Sequence, residues 1–322
     1  MTQITVAGAG AFGTALAVSF ASGGNPVQLW ARDDNHVNQM RLAKQNARYL
    51  ADRKFPQTLN VTSSLSHLKA SDILLVAVPT QSLRAFLGDA GDQIAKAHLV
   101  LCCKGVEKSS GLLPTEVVAG VFDNSVTSVL TGPGFASEIS AGLPTALTLA
   151  GSEQTDNVLN QLTAPNLRLY LSHDPTGAQL GGALKNVVAI ASGLAIGAGL
   201  GESARAAVMT RGFAEMSRLA KAMGAEPTTL AGLSGFGDLA LTCTSHLSRN
   251  FSLGYALGKG EAEQTGVTYE GAATAEATEV LATKLGVEMP LTEIVIAILH
   301  GKLTVSQAVA ALLARPLRHE QE

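Results

Sequence analysis

Near its start the chain reads Ile4-Thr5-Val6-Ala7-Gly8-Ala9-Gly10-Ala11-Phe12-Gly13-Thr14. Ile4, Thr5 and Val6 favour a strand, the G-x-G-x-x-G pattern follows, and from Thr14 the residues take helical character. Each glycine has its own physical reason. Gly8 permits the tight turn, Gly10 lets backbone approach a pyrophosphate, and Gly13 lets the helix pack closely on the sheet. The helix start then offers free N–H groups and the positive end of its dipole to phosphate. Glycine is common in this chain (33 residues), so the pattern gains its weight from its setting: a strand before it, a helix after it and a second strand beyond. We read it as a dinucleotide-binding turn.

Moving outward, short apolar runs alternate with helical stretches through the first half. The expected strands are Ile4–Ala9, Val27–Arg32, Asp72–Pro79, His98–Lys104, Ser125–Gly132, Thr145–Ala150 and Leu167–Leu171. Between most of them lie helical segments such as Thr14–Ser22, Asp34–Asn46, Ser82–Ala95 and Gln154–Leu162. This alternation predicts βαβ units and a mostly parallel sheet covered on both faces. From about Asp174 the strand-like runs stop. The expected helices are Thr176–Gly197, Ala204–Met223, Phe251–Leu257, Ala273–Leu285, Leu291–Leu299 and Thr304–Leu313, with Thr304 as an N-cap and Gly286 and Gly301 as stops. The fold class is therefore an α/β Rossmann-like N-terminal domain over residues 1–176 followed by an all-α C-terminal domain over residues 177–322.

Candidate chemistry collects at the carboxyl ends of the strands, where open parallel sheets bind ligands. The second strand ends in Arg32-Asp33, an Arg first where an acidic residue would hold the ribose hydroxyls of NAD. Arg32 suits a 2′-phosphate, which favours NADP(H), with NAD(H) open. The strand ending Cys102-Cys103-Lys104-Gly105 delivers Lys104 to the crevice, while the two cysteines face opposite sides. Gly132-Pro133-Gly134-Phe135-Ala136 is a second glycine-rich turn, able to present backbone N–H groups to an anion or to be a plain turn. In the helical half, Lys185-Asn186 interrupts a helix that is otherwise apolar and small. A lysine buried there has a lowered pKa and suits proton transfer during carbonyl reduction. Asp238 is placed to orient Lys185 or to hold a substrate hydroxyl. Ser248-Arg249-Asn250 offers a guanidinium fork and two hydrogen-bonding neighbours to a phosphate.

Composition narrows the classes. Lys plus Arg is 23 against Asp plus Glu 26, charged residues are 15% and aromatics 4%, where an ordinary domain has roughly 25% charge. There is no basic excess for nucleic acid and few aromatic platforms for single strands. No apolar run reaches the roughly 18–20 residues of a bilayer span; Val187–Leu200 comes nearest, interrupted by Ser192 and several glycines. The N-terminus carries no basic-then-apolar leader, so the expected address is cytoplasmic. The three cysteines lack metal-ligand spacing, the seven histidines form no H-x-x-x-H, and no serine sits in G-x-S-x-G. No metal is expected.

Taken in order, GAGAFGTALA from Gly8, LWAR from Leu29, CKGVE from Cys103, GPGFA from Gly132, ALKNVVAIASG from Ala183, ARAAVMTRG from Ala204, GDLALTCTSHLSRN from Gly237 and GVEMPLTE from Gly286 resemble bacterial NAD(P)-dependent glycerol-3-phosphate dehydrogenases along essentially the whole chain. The resemblance implies reversible hydride transfer between dihydroxyacetone phosphate and sn-glycerol 3-phosphate, feeding phospholipid synthesis, by a homodimer. It makes Lys185 the proton donor and acceptor. It places Lys104, Gly132, Gly134, Asp238, Ser248, Arg249 and Asn250 at the substrate. It places Gly8, Gly10, Ala11, Phe12, Gly13, Arg32, Tyr49, Lys104, Ala136, Arg249, Thr268 and Glu270 at the cofactor. Two positions depart from the family's habit: Gly134 stands where Ser is usual, and Ser203 where Asn is common. A related two-domain hydroxy-acid or ketopantoate-type reductase, also using a helical-domain lysine, is the alternative; a nucleotide-binding protein without turnover is a third reading, disfavoured by Lys185 and the Ser248–Asn250 cluster.

Overall fold

The computed structural model describes residues 2–123, 125–162, 164–261 and 269–314. Eight strands form one sheet: β1 (Ile4–Ala7), β2 (Val27–Trp30), β3 (Leu59–Thr62), β4 (Ile73–Val76), β5 (His98–Leu101), β6 (Thr127–Thr131), β7 (Thr145–Gly151) and β8 (Leu167–Ser172), in the order β3-β2-β1-β4-β5-β6-β7-β8. Every neighbouring pair is parallel except β6 and β7. The strand order reverses between β1 and β4, and the glycine-rich turn opens at the carboxyl end of β1, beside that switch point. Helices α1 (Ala11–Ser22), α2 (Asp34–Ala43), α3 (Leu83–Ala90), α4 (Pro114–Ala119), α5 (Ala136–Ser140) and α6 (Thr155–Leu159) belong to this part. Two apolar clusters separate the faces of the central strands: Ile73, Leu75, Val100 and Cys102 lie in one, and Leu74, Val76, Leu99, Leu101 and Cys103 in the other. Cys102 and Cys103 thus face opposite sides, as expected, although the strand proper ends at Leu101.

The remainder is helical: α7 (Pro175–Gly197), α8 (Gly201–Ala222), α9 (Pro227–Ala231), α10 (Asp238–Cys243), α11 (Arg249–Gly258), α12 (Glu270–Leu285), α13 (Pro290–Leu299) and α14 (Val305–Leu313). A π-helical turn, Leu233–Gly237, leads into α10. The stop and start signals act as expected: Gly286 adopts φ +66° after α12, Gly301 φ +67° after α13, and Thr304 Oγ1 accepts from Gln307 N–H at 3.2 Å ahead of α14. Helix α7 runs through the centre. By length and composition it suffices to cross a membrane, which the residue runs alone did not suggest, yet 89% of its apolar window is buried inside the protein. It is a core helix. Its closest partner is α11, and the approach is backbone to backbone: a Cβ on Gly193 would sit 2.1 Å from the Phe251 carbonyl oxygen, and one on Gly254 1.9 Å from that of Ile190. Part of the chain's glycine content is spent on this contact.

Four differences from the sequence reading have plain causes. Strand β3 was not expected, because an edge strand paired only with β2 needs few apolar residues and leaves Asn60 exposed. The central strands are four residues long because the apolar runs continue past the ladder into the crevice turns. The β6–β7 pair is antiparallel, joined through α5 rather than through a long crossover. Helices α4, α5, α9 and α10 have five or six residues, too few for a helical period to register.

Candidate active site

The glycine turn is built as its spacing requires. Gly8 has φ +116°, and a Cβ there would lie 2.6 Å from the Ala77 carbonyl oxygen at the end of β4. A Cβ on Gly13 would lie 2.1 Å from the Gly8 carbonyl oxygen, so α1 rests on the turn itself. Gly10 is different: a Cβ there would meet nothing within 4 Å. It caps α1 in an extended conformation, and the first turn of α1 carries no acidic residue. The first N–H groups of any helix lack intrahelical partners. Open space beside such a helix start fits the pyrophosphate of a dinucleotide.

The adenosine side is set by β2 and α2. Arg32 is exposed just beyond β2. The Asp33 carboxylate is engaged as the N-cap of α2, accepting from Asn35 N–H at 2.9 Å and His36 N–H at 3.3 Å. Tyr49 is partly exposed, with the Arg48 guanidinium 5.4 Å from its ring centroid. Among the described residues, neither Arg32 nor Tyr49 contacts the charged cluster described next.

That cluster joins the two parts of the chain. The Asp238 carboxylate, at the start of α10, is fully buried and accepts from two lysines. Lys185, in the middle of α7, donates to Oδ1 at 2.5 Å, and Lys104, just past β5, donates to Oδ2 at 2.6 Å. Lys185 also donates to Thr242 Oγ1 at 2.8 Å, one turn along α10. Lys104 reaches the Gly132 carbonyl at 3.4 Å and lies 5.6 Å from the ring centroid of Phe12, which ties the cluster to the glycine turn. Burial lowers Lys185 to about 8; Asp238 works against that shift and the like charge of Lys104 adds to it. Burial alone would raise the Asp238 carboxyl, but Lys104 and Lys185 outweigh it and hold it below the ordinary carboxylate value. The result is an anchored carboxylate beside an amine that changes charge near neutrality.

Around this cluster stand the remaining candidates. Ser248 caps α11, its Oγ accepting from Phe251 N–H at 3.2 Å. Arg249, next to it, is exposed. Glu270, the first residue of α12, is half-buried and feels the positive charges of Arg249, Lys104 and Lys185, although burial keeps its carboxyl above the ordinary value. Asn250 Oδ1 is taken by Gly271 N–H at 3.1 Å, so Asn250 also holds the start of α12. Gly132 has φ +134°, while Gly134 is hemmed in: a Cβ there would sit 2.9 Å from Thr145 Cγ2 and 3.0 Å from Ile139 Cδ1. Ala136 opens α5 and packs, like Phe12, on the sheet's apolar cluster. Thr268 lies outside the described residues.

Three contributors were not anticipated. Thr242 lies four residues beyond Asp238, a spacing that puts both on one helix face. Gly182, one turn before Lys185, leaves room for the Thr131 hydroxyl: a Cβ there would be 2.6 Å from Thr131 Oγ1, while the Lys104 stem at 3.6 Å is in ordinary contact. The Thr131 hydroxyl is buried without a partner among the described residues. Burial pushes the thiols of Cys102 and Cys103 up, which leaves them unreactive beside the site. Among the described residues no group of three or more His, Cys, Asp or Glu could hold a metal ion.

Residues 3–157 match the family described as NAD-dependent glycerol-3-phosphate dehydrogenase N-terminus, and residues 174–310 the corresponding C-terminus. The chain is 52% identical over 320 residues to a Ruegeria protein named glycerol-3-phosphate dehydrogenase [NAD(P)+], covering 99% of this chain and all of that one. The Roseobacter denitrificans protein of the same name is 49% identical with the same coverage. The crystal structure of glycerol-3-phosphate dehydrogenase from Coxiella burnetii superposes with a TM-score of 0.93 at 38% identity, covering 98% of this chain and 99% of that one.

Proposed function

The chain belongs to the NAD-dependent glycerol-3-phosphate dehydrogenase family, and on that premise we propose that it is an NAD(P)-dependent oxidoreductase that interconverts dihydroxyacetone phosphate and sn-glycerol 3-phosphate, with its paired lysines and shared carboxylate handling the proton and the charge at the carbonyl. The product feeds phospholipid synthesis. The single observation that carries the reading is the buried Lys185–Asp238–Lys104 arrangement beside the glycine turn.

Bound NAD(P)H supplies the hydride. The turn Gly8, Gly10, Ala11, Phe12 and Gly13 would hold its pyrophosphate side, with Arg32 and Tyr49 on the adenosine side and Lys104, Ala136, Arg249, Thr268 and Glu270 completing the pocket. Asp33 is occupied as a helix cap, which leaves Arg32 as the charged group for a 2′-phosphate and supports NADP(H) over NAD(H). Lys185 gives a proton to the ketone oxygen as it becomes an alkoxide, and takes one back in the reverse direction. Asp238 fixes the direction of the Lys185 ammonium and keeps it charged more often than burial alone would allow. Lys104 places a second positive charge where negative charge develops. Arg249, with Ser248 and Asn250, receives the phosphate, so that binding energy remote from the reacting carbon orients the ketone. Gly132 and Gly134 line the same face with backbone.

We place the division between the two domains at residues 176 and 177, in the first turn of α7. A homodimer and a cytoplasmic address complete the proposal; the three free, buried thiols suit a reducing compartment. Initial rates of NADPH and NADH oxidation with dihydroxyacetone phosphate, hydroxyacetone and ketopantoate test the reading. Preference for the phosphorylated ketone supports it, and faster turnover of a phosphate-free ketone contradicts it.

A further inference from the structure

Asn46 is fully buried in the loop that follows α2, and all of its amide is used. Its nitrogen donates to the Ala9 carbonyl at 2.9 Å and to Thr14 Oγ1 at 2.8 Å. Its oxygen lies 3.0 Å from His36 Nε2. The orientation is forced: a backbone carbonyl only accepts, so the amide nitrogen faces Ala9, the oxygen faces His36, and His36 carries its donor proton on Nε2. Ala9 lies between Gly8 and Gly10, and Thr14 is in the first full turn of α1. His36 is in the first turn of α2, three residues after the Asp33 cap that follows Arg32. The Asn46 carbonyl in turn accepts from Tyr49 N–H at 3.2 Å and Leu50 N–H at 2.8 Å, and the Tyr49 ring stands 5.9 Å from that of His36.

One residue therefore ties the glycine turn to the start of the helix that follows Arg32, through its side chain, and to Tyr49, through its backbone carbonyl. We infer that Asn46 is a positioning residue for the dinucleotide: it sets the glycine turn, Arg32 and Tyr49 in one binding geometry before the dinucleotide arrives. The inference rests on the dinucleotide reading above. It explains why a loop of bland composition, Gln45-Asn46-Ala47-Arg48, carries a polar group with no solvent exposure. A buried amide with every partner satisfied fixes geometry, and an unmade bond at such a site is costly.

The test is Asn46→Asp, which keeps size and the acceptor toward His36 but sets a second acceptor against the Ala9 carbonyl. Thr14 can turn its hydroxyl to donate; Ala9 cannot. The expected result is an NADPH dissociation constant raised about ten-fold in a fluorescence titration, with kcat at saturating NADPH and KM for dihydroxyacetone phosphate changed by less than about two-fold. A folded variant that binds NADPH as the wild type does overturns the inference, even if its Tm is lower. Should Asn46→Asp not fold, His36→Leu removes only the third bond; it is expected to weaken NADPH about three-fold, with His36→Gln, which restores a donor, recovering the loss. Equal affinity in His36→Leu and wild type overturns it as well. A wild type that binds no dinucleotide refutes the functional reading itself, which keeps the two failures apart.

Discussion

Lys185 and Asp238 meet at 2.5 Å although they lie 53 residues apart on different helices, and the other oxygen of that carboxylate holds Lys104 from the sheet domain. Two positive charges thus share one negative one in a site where neither Lys185 nor Asp238 is exposed. Such an arrangement is poor evidence for stability, because desolvation offsets much of the attraction. Its consequence is chemical: an amine that titrates near neutrality and cannot turn away.

Asp238→Asn removes the group that holds the Lys185 pKa up and leaves two ammonium groups facing each other. In the wild type, reduction of dihydroxyacetone phosphate needs the charged amine, so its rate falls as pH rises through about 8, while glycerol 3-phosphate oxidation rises over the same range. In the variant the midpoint of both profiles moves to lower pH, and urea unfolding shows a loss of about 3 kcal/mol. An unmoved midpoint with wild-type stability contradicts the role given to Asp238.

Two glycines of the turn, Gly13 and Gly10, separate packing from binding. Gly13→Ala forces a Cβ against the Gly8 carbonyl oxygen and costs about 2–3 kcal/mol in thermal or denaturant unfolding. Gly10→Ala meets open space in a conformation any residue adopts, so stability changes by less than about 0.5 kcal/mol. Dinucleotide affinity nonetheless falls about ten-fold, because the methyl group occupies the approach to the pyrophosphate. Isothermal titration beside a melting curve distinguishes the two effects.

Glu215 gives a pH signature unrelated to catalysis. It is buried in α8 and accepts from Leu291 N–H at 2.6 Å and Thr292 N–H at 3.3 Å at the start of α13. Burial raises its carboxyl to about 7, the two N–H groups opposing the shift. A carboxyl whose folded pKa exceeds its unfolded value of about 4.5 stabilises the fold fully below that value and loses the contribution as pH rises through about 7. The loss is about 3 kcal/mol between these limits. Glu215→Gln cannot ionise, so its stability, measured by urea unfolding from pH 4 to 8, shows a correspondingly flatter profile than the wild type.

Much of this was readable from sequence wherever one residue type broke a local pattern. Glycines at fixed offsets after a strand marked the dinucleotide turn. Lys185 stood out because the helix around it is apolar and small. Asp238 was a candidate partner for it, but only the fold shows that it serves two lysines at once. What escaped was of two kinds. Elements too short or too exposed to show a period, such as β3, α5 and α10, have no sequence signature. Residues whose role is a tertiary contact look ordinary in sequence: Thr242 is a helical hydroxyl, Asn46 a loop amide, and Glu215 one charge among many on α8. Gly134, met as a missing hydroxyl, is in the structure a position where Thr145 and Ile139 have taken the space.

Lys185→Met tests the central claim most directly, since it keeps an unbranched side chain one atom shorter, removes the amine and leaves Asp238 paired with Lys104. The variant should bind NADPH with wild-type affinity and remain folded, while its steady-state rate of dihydroxyacetone phosphate reduction falls about 10²–10⁴-fold and no longer depends on pH near 8. A folded Lys185→Met enzyme that turns over dihydroxyacetone phosphate at the wild-type rate would contradict the account.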